Sequence, residues 1–358
     1  MTFRPSFIEE GFFVSVVSFS LTTTPKNKSK ILAANAANIG HCARLLQAGE
    51  IVAIPTETVY GLAGNALSEP SVIKIFRIKG RPLIDPLIVH FKSVESAEIH
   101  TKPNDYFYRL AKAFWPGPLT IVIPKKKSIP DIVTAGLSSV AVRVPQHSVF
   151  RKVLNCIDFP LAAPSANPFG YVSPTLADHV EQTLGNRIEA ILDGGACEHG
   201  LESTIVDLRS HLAPAILRHG PITAAQISKV LGISLATSVG TDCEKDAQSA
   251  PGQLTKHYSP HAQMVLYDPG KFAKLHQPPE NSALVCCRKP DWYTNQPNIF
   301  WLSETGDLKA IACNLFKLIQ NLDRAGFKEI WVEKVIEEGL GVAINDRLRR
   351  AAAKSAME

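Results

Sequence analysis

Four short phrases of hydroxyl-bearing, cationic and small residues carry the chemistry of this sequence. They are PTETVYG at residues 55–61, KGRP at 79–82, PSAN at 164–167 and EST at 202–204. Each phrase borders an apolar run, and polar side chains at the ends of buried strands usually line a cleft, because the strands fix the backbone while their ends stay reachable. The four phrases therefore predict a site for a small anionic ligand.

The cations of the second phrase, Lys79 and Arg81, are the first candidates for holding a phosphate. The sequence contains no GxxxxGK[ST] loop, and residues 61–64 (GLAG) do not match GxGxxG. Phosphate would then be held by side chains and irregular loops. Arg can grip two phosphate oxygens at once, and Gly80 between the cations allows close approach of the backbone. A solvated basic turn after a helix would explain the same residues.

Two further arginines lie in strand-like apolar runs. Arg143 is part of VAVRVP, and Arg218 is part of ILRHGP. A buried charge is costly unless it is paired. A ligand carboxylate and a buried acid of the protein would serve equally well as the partner, so the sequence leaves both possibilities open.

Several neutral polar residues are ambiguous when they are taken singly. Ser165, Asn167 and Ser173 lie in a Pro- and Gly-containing stretch, where they either cap backbone groups of a turn or form a wall of donors around a nucleotide. Ser203, at the start of a strand, is equally ambiguous. His90 closes the short strand LIVH, and a histidine in such a place is more often structural than functional.

The sequence favours neither a metal site nor a nucleophile relay. His257 and His261 have metal-like spacing, but Pro260 disfavours a helix there and no third ligand is evident. Nothing resembles a Ser-His-Asp triad or a nucleophilic cysteine with a local partner. We therefore expect no metal bound by the protein alone.

The composition is typical of a globular protein with two domains in a reducing compartment. The chain has 358 residues, of which 45% are hydrophobic and 20% charged. Its net charge of +5 suits nucleotides or RNA but argues for neither alone. The seven cysteines form no CxxC pair, so we expect reduced thiols and a cytoplasmic location.

The N-terminal residues 1–28 need a separate interpretation. Residues 11–21 form an apolar run similar to that of a signal peptide, but Glu9 and Glu10 stand where positive charge is expected, and no clear cleavage site follows. The run is also too short to span a bilayer. We expect a dispensable extension or a misassigned start rather than export, and no membrane association.

The helix and strand signals alternate without a strict order, which predicts an α/β domain with a twisted mixed sheet. Strands are expected at residues 51–54, 87–90, 119–123, 140–144, 161–163, 191–193 and 204–207, and helices at 31–47, 72–78, 106–114, 176–184 and 222–231. After a polar stretch, strands at 264–267, 283–287, 299–302 and 329–333 and helices at 308–325 and 345–353 predict a smaller Rossmann-like α/β domain. The predicted division is an extension over 1–28, a catalytic domain over 29–233, a linker over 234–260 and a C-terminal domain over 261–358.

Taken in order, the phrases resemble those of one enzyme family. PTETVYGL, KGRPLIDPL, WPGPLT, VRVP, APSAN, ESTIVD and LRHGPI are similar to the motifs of the YrdC-type threonylcarbamoyl-AMP synthases, and the linker and C-terminal domain resemble the two-domain version. The resemblance implies a YrdC-like fold and a nucleotidyltransferase. Such an enzyme makes threonylcarbamoyl-AMP from L-threonine, bicarbonate and ATP, releases pyrophosphate and supplies a downstream tRNA-modifying transferase that forms threonylcarbamoyladenosine.

The resemblance also implies roles for individual residues. L-Threonine is assigned to Thr58, His90, Arg143, Ala163 and Ser203. ATP is assigned to Lys79, Arg81, Asp85, Ser139, Ser165, Asn167, Ser173, Arg218, His257 and Tyr258, with Lys79 and Arg81 as the catalytic cations. A magnesium ion is expected with the triphosphate.

One departure and one segment are singled out by the comparison with family motifs. The family often has Asn where this chain has Asp85, and an acid beside phosphates would repel them unless it binds through magnesium or pairs with a cation.

The linker, which ends in His257 and Tyr258, is either a passive tether or a lid that excludes water from a labile carbamate.

Two other functions compete with this interpretation. The first is an RNA-binding module for ribosome maturation, because the fold is also associated with RNA; it would need a broad basic surface that the net charge does not demand. The second is carbamoyl transfer, as in related domains of hydrogenase-maturation proteins. Those domains are typically fused to an acylphosphatase and a zinc-finger segment, which this sequence lacks.

Overall fold

The computed structural model describes residues 30–210, 213–237, 248, 250–251, 258–268 and 279–353. The predicted extension over 1–28, most of the predicted linker, Cys243 and His257 lie outside these residues. The six cysteines inside them are free thiols. Within the described ranges, no helix is long and apolar enough to cross a membrane.

A large sheet occupies the first part of the chain. Among the described residues it has eleven strands: β1 (Ile31–Ala33), β2 (Val52–Ile54), β3 (Gly61–Asn65), β4 (Ile88–His90), β5 (Leu119–Pro124), β6 (Ser139–Arg143), β7 (Leu161–Ala162), β8 (Ala190–Asp193), β9 (Thr204–Asp207), β10 (Ala215–Arg218) and β11 (Ala236–Thr237). Their order is β1-β8-β2-β3-β7-β4-β6-β5-β9-β10-β11. Parallel pairs, such as β4 with β6, mix with antiparallel pairs, such as β5 with β6, which confirms the predicted mixed α/β sheet.

Helices cover both faces of this sheet. They are α1 (Ala36–Gln47), α2 (Glu69–Lys79), α3 (Val94–Glu98), α4 (Asp105–Phe114), α5 (Ser148–Asn155), α6 (Ala177–Leu184) and α7 (Ala224–Leu231), with a 3-10 turn at Asp131–Thr134. Because side chains alternate along a strand, Val52 and Ile54 of β2 pack with α1 and α5, whereas Ile51 and Ala53 face the core that contains α2.

One described residue of the linker, Ala250, packs on the large sheet. Ala250 is fully buried and packs on Ile88, Ala141, Ile205 and Leu217, which lie on neighbouring central strands. These four side chains share the sheet face on which the predicted site residues follow the strand ends. The linker is therefore in contact with the sheet next to the predicted site.

The C-terminal domain contains a second, parallel sheet. Its strands are β12 (Gln263–Tyr267), β13 (Ser282–Arg288), β14 (Ile299–Ser303) and β15 (Glu329–Glu333), in the order β12-β15-β13-β14. Helices α8 (Leu308–Arg324) and α9 (Leu340–Ala352) pack on one face of it, around Phe316 and Ile344. The predicted smaller α/β domain with a parallel sheet is thus confirmed.

The structure corrects two of the predicted elements and adds others that were not predicted, such as β3, α5 and β10. The first turn predicted for the helix at residues 31–47 is wrong, because Ile31–Ala33 pairs with β8 and Asn35 caps α1. Strand β3 lies in the sequence GLAGN, where no strand is predicted. A Cβ on its Gly64 would lie 2.6 Å from Ile51 Cδ1 and 3.2 Å from Ile75 Cδ1, so a larger residue there would force these buried side chains to shift. The last helix also begins earlier than predicted, at Leu340.

Candidate active site

A cleft opens on the face of the large sheet on which Ala250 packs, and Pro251 is among its lining residues. It encloses about 520 Å³, including its open mouth. Nine of the predicted site residues line it: Thr58, Arg81, His90, Arg143, Ala163, Ser165, Ser203, Arg218 and Tyr258. The structure thus brings residues from distant parts of the sequence to one place.

Arg143 is fixed at the carboxyl end of β6, beside His90 of β4. The two strands are parallel, and their register pairs His90 with Arg143. Arg143 Nη2 donates to Glu57 Oε1 at 2.6 Å, Nη1 to Thr58 Oγ1 at 3.0 Å and Nε to Gly117 O at 3.1 Å. The guanidinium therefore has a set orientation before any ligand binds.

Glu57 is the buried acid that the sequence left open as a partner of Arg143. Burial raises the pKa of Glu57, but the charge and hydrogen bond of Arg143 outweigh this effect and lower the pKa to about 2. The pair is therefore ionised at neutral pH. Glu57 is not among the predicted site residues. The signal that could have found it is the rule that an arginine in an apolar strand requires a buried acid or an anionic ligand.

The loop between β2 and β3 is folded around Thr56. Its Oγ1 accepts hydrogen bonds from Thr58 N at 3.0 Å and Val59 N at 3.1 Å, and lies 2.8 Å from Thr58 Oγ1. A hydroxyl in this position satisfies backbone donors that a buried loop could not otherwise pair. Thr56 thereby places the Thr58 hydroxyl between the cleft and Arg143.

His90 is buried and neutral. Burial, reinforced by the charge of Arg143, lowers its pKa to about 3. Its ring packs against Phe150 with the centroids 5.2 Å apart, and its Nδ1 has no hydrogen-bond partner among the described residues. A neutral imidazole can serve a ligand hydroxyl as donor or acceptor without adding charge beside Arg143.

Ser203 and Arg218 meet where β9 begins and β10 ends. Arg218 donates through Nη2 to Ser203 Oγ and through Nε to Ser203 O, both at 3.1 Å, and through Nη1 to Pro251 O at 3.3 Å. Ser203 Oγ also lies 2.7 Å from Thr120 Oγ1. Within the described part of the chain, Arg218 thus bonds to neutral groups. Its charge is suited to an anionic ligand in the cleft.

Lys79 lies behind the loop at residues 164–167 rather than in the cleft wall. Its Nζ donates to Ser165 O and to Asn167 O, both at 2.6 Å. Burial, with the neighbouring charge of Arg81, lowers the pKa of Lys79 well below its usual value. Lys79 therefore braces the backbone of the loop that presents Ser165 to the cleft.

Arg81 and Asp85 form a buried ion pair beside the cleft. Arg81 Nη2 lies 2.8 Å from Asp85 Oδ1, while Nε donates to Asp85 O at 2.9 Å and Nη2 to Pro86 O at 2.8 Å. Neither carboxylate oxygen accepts a well-directed hydrogen bond from the described residues, and the side chain is fully buried. Burial raises the pKa of Asp85 against the effect of the nearby cations, Arg81 first. Asp85 is thus paired with a cation.

Ser173 is hydrogen-bonded to Glu202, which lines the cleft. Ser173 Oγ donates to Glu202 Oε1 at 2.5 Å, and Glu202 Oε2 accepts from Arg347 Nε of helix α9 at 2.7 Å. Burial raises the pKa of Glu202, but the charges of Arg347 and Arg218 bring it below its usual value. Neither Glu202 nor Arg347 is among the predicted site residues, since RLRR near the end of a helix is typical of a solvated face.

Two further predicted ATP ligands, Ser139 and Asn167, share with Lys79, Asp85 and Ser173 that they do not line the cleft wall. Ser139 opens β6 about 13 Å along the strand from Arg143, because four residues separate them. Asn167 donates from Nδ2 to Pro168 O at 2.8 Å and to Tyr171 O at 2.9 Å. Its buried Oδ1 lacks a hydrogen-bond partner among the described residues.

Tyr258 closes one side of the cleft at the end of the linker. Its ring stacks on Phe316 with the centroids 5.5 Å apart. Cζ of Arg347, the arginine that donates to Glu202, lies 5.2 Å from the centroid of the Tyr258 ring. Tyr258 therefore joins the cleft to the core of the C-terminal domain.

No protein-built metal site is found in the part of the chain that the structure describes. No group of three or more His, Cys, Asp and Glu side chains is placed to hold a metal ion among these residues. His261 packs its ring against Tyr171 with the centroids 5.2 Å apart. The acids nearest the cleft, Glu57, Asp85 and Glu202, are each paired with an arginine.

Two family models match the chain in succession. The model described as "Telomere recombination", for the Sua5, YciO and YrdC proteins, matches residues 44–220. The model described as "Threonylcarbamoyl-AMP synthase, C-terminal domain" matches residues 222–353. The two models meet between β10 and α7.

Individual relatives match across both domains. A threonylcarbamoyl-AMP synthase of Pyrococcus abyssi is 39% identical over 321 residues, which cover 87% of this chain and 92% of the relative. One of Bacillus subtilis is 35% identical and covers 90% of this chain and 94% of the relative. The crystal structure of P. abyssi Sua5 complexed with L-threonine is similar with a TM-score of 0.81 at 38% identity, covering 90% of this chain and 97% of that one.

Proposed function

The chain belongs to the threonylcarbamoyl-AMP synthase family, and from this premise we propose that it makes threonylcarbamoyl-AMP from L-threonine, bicarbonate and ATP, with release of pyrophosphate. The observation that carries the proposal is the composition of the cleft. A preoriented Arg143, paired with Glu57 and flanked in the cleft by the neutral Thr58, His90 and Ser203, shares one cavity with Arg81 and Arg218. The first set suits an amino acid and the second suits phosphates.

L-Threonine binds at the Arg143 end. The guanidinium receives the amino-acid carboxylate, while the Thr58 and Ser203 hydroxyls and the neutral His90 ring surround the side chain; Ala163 contributes backbone. A site that hydrogen-bonds a substrate hydroxyl rejects an isostere without it, because its own polar groups would stay unpaired. L-Valine should therefore be excluded strongly.

ATP binds at the other end, with Arg81 and Arg218 toward its phosphates and Tyr258 at the wall. Lys79 holds the Ser165 loop and has one N–H beyond its two bonds to backbone carbonyls. Ser139, Asn167, Ser173 and His257 are further proposed contacts of the nucleotide. The role of the cations is to balance the triphosphate and the charge that develops on leaving pyrophosphate.

The chemistry requires positioning rather than a protein nucleophile. The threonine amine adds to bicarbonate, and loss of water gives a carbamate. A carbamate oxygen then attacks the α-phosphorus, the bond to the β-phosphate bridging oxygen breaks, and pyrophosphate leaves with the electron pair. Arg81 and Lys79 stabilise this charge, and the neutral His90 keeps the amine end free of a competing cation.

Magnesium enters as part of the substrate, MgATP. This proposal fits a cleft whose carboxylates are already paired with arginines, because Mg²⁺ at such sites keeps several waters and is bound mainly through the phosphates.

We also propose that the linker acts as a lid. Pro251 O accepts a hydrogen bond from Arg218, and Gln248 N donates to Ile84 O at 3.0 Å, so these linker positions contact both sides of the nucleotide end. Water exclusion would protect the carbamate. Replacement of residues 249–257 by Gly and Ser should reduce coupled turnover; undiminished turnover would contradict the lid.

The test of the function is pyrophosphate release from MgATP, with L-threonine, L-serine or L-valine added in turn, in the presence and absence of bicarbonate. Release that depends on L-threonine and bicarbonate, with an adenylated threonylcarbamate detected by mass, is expected. R143M should abolish it, while R209M, which removes an arginine paired with Asp207 outside the cleft, should retain it. Silence of folded wild-type protein would overturn the proposal.

The product is a labile mixed anhydride and must be consumed by a transferase that modifies tRNA. We propose such a transferase as the downstream partner and a cytoplasmic location for both. Only weak binding of RNA by this chain itself is expected, in view of its small net charge.

A further inference from the structure

Arg347 is a completely buried arginine of the C-terminal domain, although the cleft belongs to the other domain. All three of its guanidinium nitrogens are used. Nε donates to Glu202 Oε2 at 2.7 Å, Nη1 to Asp346 Oδ2 at 2.6 Å and Nη2 to His219 O at 2.8 Å. Two of these partners, Glu202 and His219, lie in the catalytic domain, so Arg347 spans the junction between the domains.

Glu202 connects Arg347 to the cleft. Glu202 lines the cleft, and its Oε1 accepts a hydrogen bond from the Ser173 hydroxyl at 2.5 Å. Helix α8 also contacts Ser173, because the buried Gln320 of this helix donates from Nε2 to Ser173 O at 2.8 Å. The C-terminal domain therefore fixes both the backbone and the side chain of Ser173.

The charge balance of the cleft depends on this contact. A carboxylate in the wall of a site for phosphates would repel them unless a cation compensates it. If Arg347 were absent, the next cation close enough to influence Glu202 would be Arg218, which now bonds to Ser203 and Pro251 and faces the cleft. Glu202 would then compete with the ligand for Arg218.

We propose that Arg347 is a positioning residue for nucleotide binding: by neutralising and orienting Glu202 from the C-terminal domain, it leaves Arg218 available to the phosphates. The inference rests on the proposed function, and it gives the C-terminal domain a part in the active site. It predicts that Arg347 affects nucleotide affinity without touching the nucleotide.

The first test is R347M, measured by the Kd for the ATP analogue AMPCPP with Mg²⁺ in titration calorimetry. Weakening by about tenfold or more is expected, since a charge-assisted contact to the phosphates is lost. The matched control is R349M on the same helix, which removes an exposed arginine paired with Glu337. Its Kd should stay within about twofold of wild type, as expected for an exposed pair.

The second test is the charge-balanced double variant E202Q/R347M. It removes the Glu202 and Arg347 charges together, which is far better tolerated than leaving one alone, while Asp346 keeps Arg350 as its partner. The double variant should therefore fold and recover most of the affinity lost in R347M.

The pH dependence gives an independent measure. Glu202 faces Arg347, Arg218 and the Ser173 hydroxyl, while Asp346 and His219 contact Arg347. Burial raises the pKa of Glu202 and the charge of Arg347 is the largest of the effects that lower it, so Glu202 should take up a proton at a higher pH in R347M than in wild type. The ratio of the R347M Kd to the wild-type Kd should therefore shrink as the pH falls from 8 to 5.5.

Several outcomes would overturn the inference. They are an R347M that unfolds more easily but binds AMPCPP like wild type, a double variant no better than R347M, and a Kd ratio that is flat with pH. Failure of nucleotide binding by wild type would also overturn it. If wild type binds AMPCPP but releases no threonine-dependent pyrophosphate, the proposed reaction fails while the positioning role is still decided by the variants.

Discussion

Glu57 Oε1 and Arg143 Nη2 lie 2.6 Å apart, and both side chains are almost fully buried, with 3% and 4% of their surface exposed. On the surface, Lys125 Nζ and Asp131 Oδ1 are separated by the same 2.6 Å, but the Asp131 side chain is 84% exposed. Equal distances thus join pairs of very different energetic weight, because water screens the second pair and not the first.

The first prediction concerns E57Q. It leaves the buried Arg143 charge without its partner, so the free energy of unfolding should fall by about 3–5 kcal/mol, and KM for L-threonine should rise about tenfold or more as Arg143 loses its orientation. Urea unfolding and steady-state kinetics measure the two effects. D131N is the matched control and should change neither. An E57Q with wild-type KM would show that Glu57 does not orient the threonine site.

The second prediction is the acid dependence of this pair. The pKa of Glu57 is lowered from 4.5 to about 2, so the unfolded chain binds more protons than the folded one within that window. The contribution of Glu57 to stability is therefore complete above pH 4.5 and is lost as the pH falls toward 2. Comparison of wild type with E57Q by urea unfolding at pH 3 and pH 6 should show a smaller difference at pH 3. A difference independent of pH would contradict the ionised pair.

How far the sequence predicts this molecule depends on what each residue contacts. Apolar periodicity places α8 and β15 almost to the residue, because their burial follows from local pattern. Strand β3 escapes the pattern, since Gly61 and Gly64 are small for packing reasons that involve Ala163 and Ile51, distant in sequence. Local propensity carries no information about such approaches.

The site shows the same division. Arg143 and Arg218 can be recognised in the sequence as charges in apolar strands, and both line the cleft. Glu202 and Arg347 cannot be recognised in this way, because their pairing joins two domains across 145 residues of sequence. A partner so distant can be recognised only when the fold has brought the two charges together.

The third prediction is that His90 stays neutral during activity. Because burial lowers its pKa to about 3, KM for L-threonine should show no inflection from His90 between pH 5 and pH 9. The lowered pKa also affects stability, because below pH 6.5 the histidine takes up a proton in the unfolded chain but not in the folded one. The free energy of unfolding should therefore fall as the pH decreases from 6.5 toward 3, and His90 should have no such effect above pH 6.5. NMR of ¹⁵N-labelled histidine, with the His90 signal assigned by H90Q, measures the protonation of the ring directly. Titration near neutrality would contradict the buried, uncharged ring.

The fourth prediction concerns Asp85, the acid buried beside Arg81. D85N keeps the shape but removes the charge that competes with phosphates for Arg81, so the Kd for MgAMPCPP should fall by about threefold to tenfold, equivalent to about 1 kcal/mol. The ligand-free protein should become less stable, since Arg81 loses its buried partner. Calorimetry and urea unfolding measure the two effects. Weaker binding by D85N would instead indicate that the carboxylate serves the nucleotide, for example through its magnesium ion.

The last prediction tests Tyr258 as the cleft wall. Its backbone has φ 64°, a left-handed conformation that costs a non-glycine residue about 1–2 kcal/mol, so the surrounding contacts must hold it there. Those contacts include the stacked Phe316 and the guanidinium of Arg347, both of which lie against the ring.

Y258F should therefore keep the Kd for MgAMPCPP within about threefold of wild type, whereas Y258A should weaken it by about tenfold or more, since loss of the ring opens the wall and releases Arg347 from one side. Y108A, at a tyrosine that is 43% exposed on α4, is the control for loss of an aromatic ring and should bind like wild type. If Y258F lost as much affinity as Y258A, the hydroxyl rather than the ring would be the group that serves the nucleotide, and the packing of the wall would not be its main contribution.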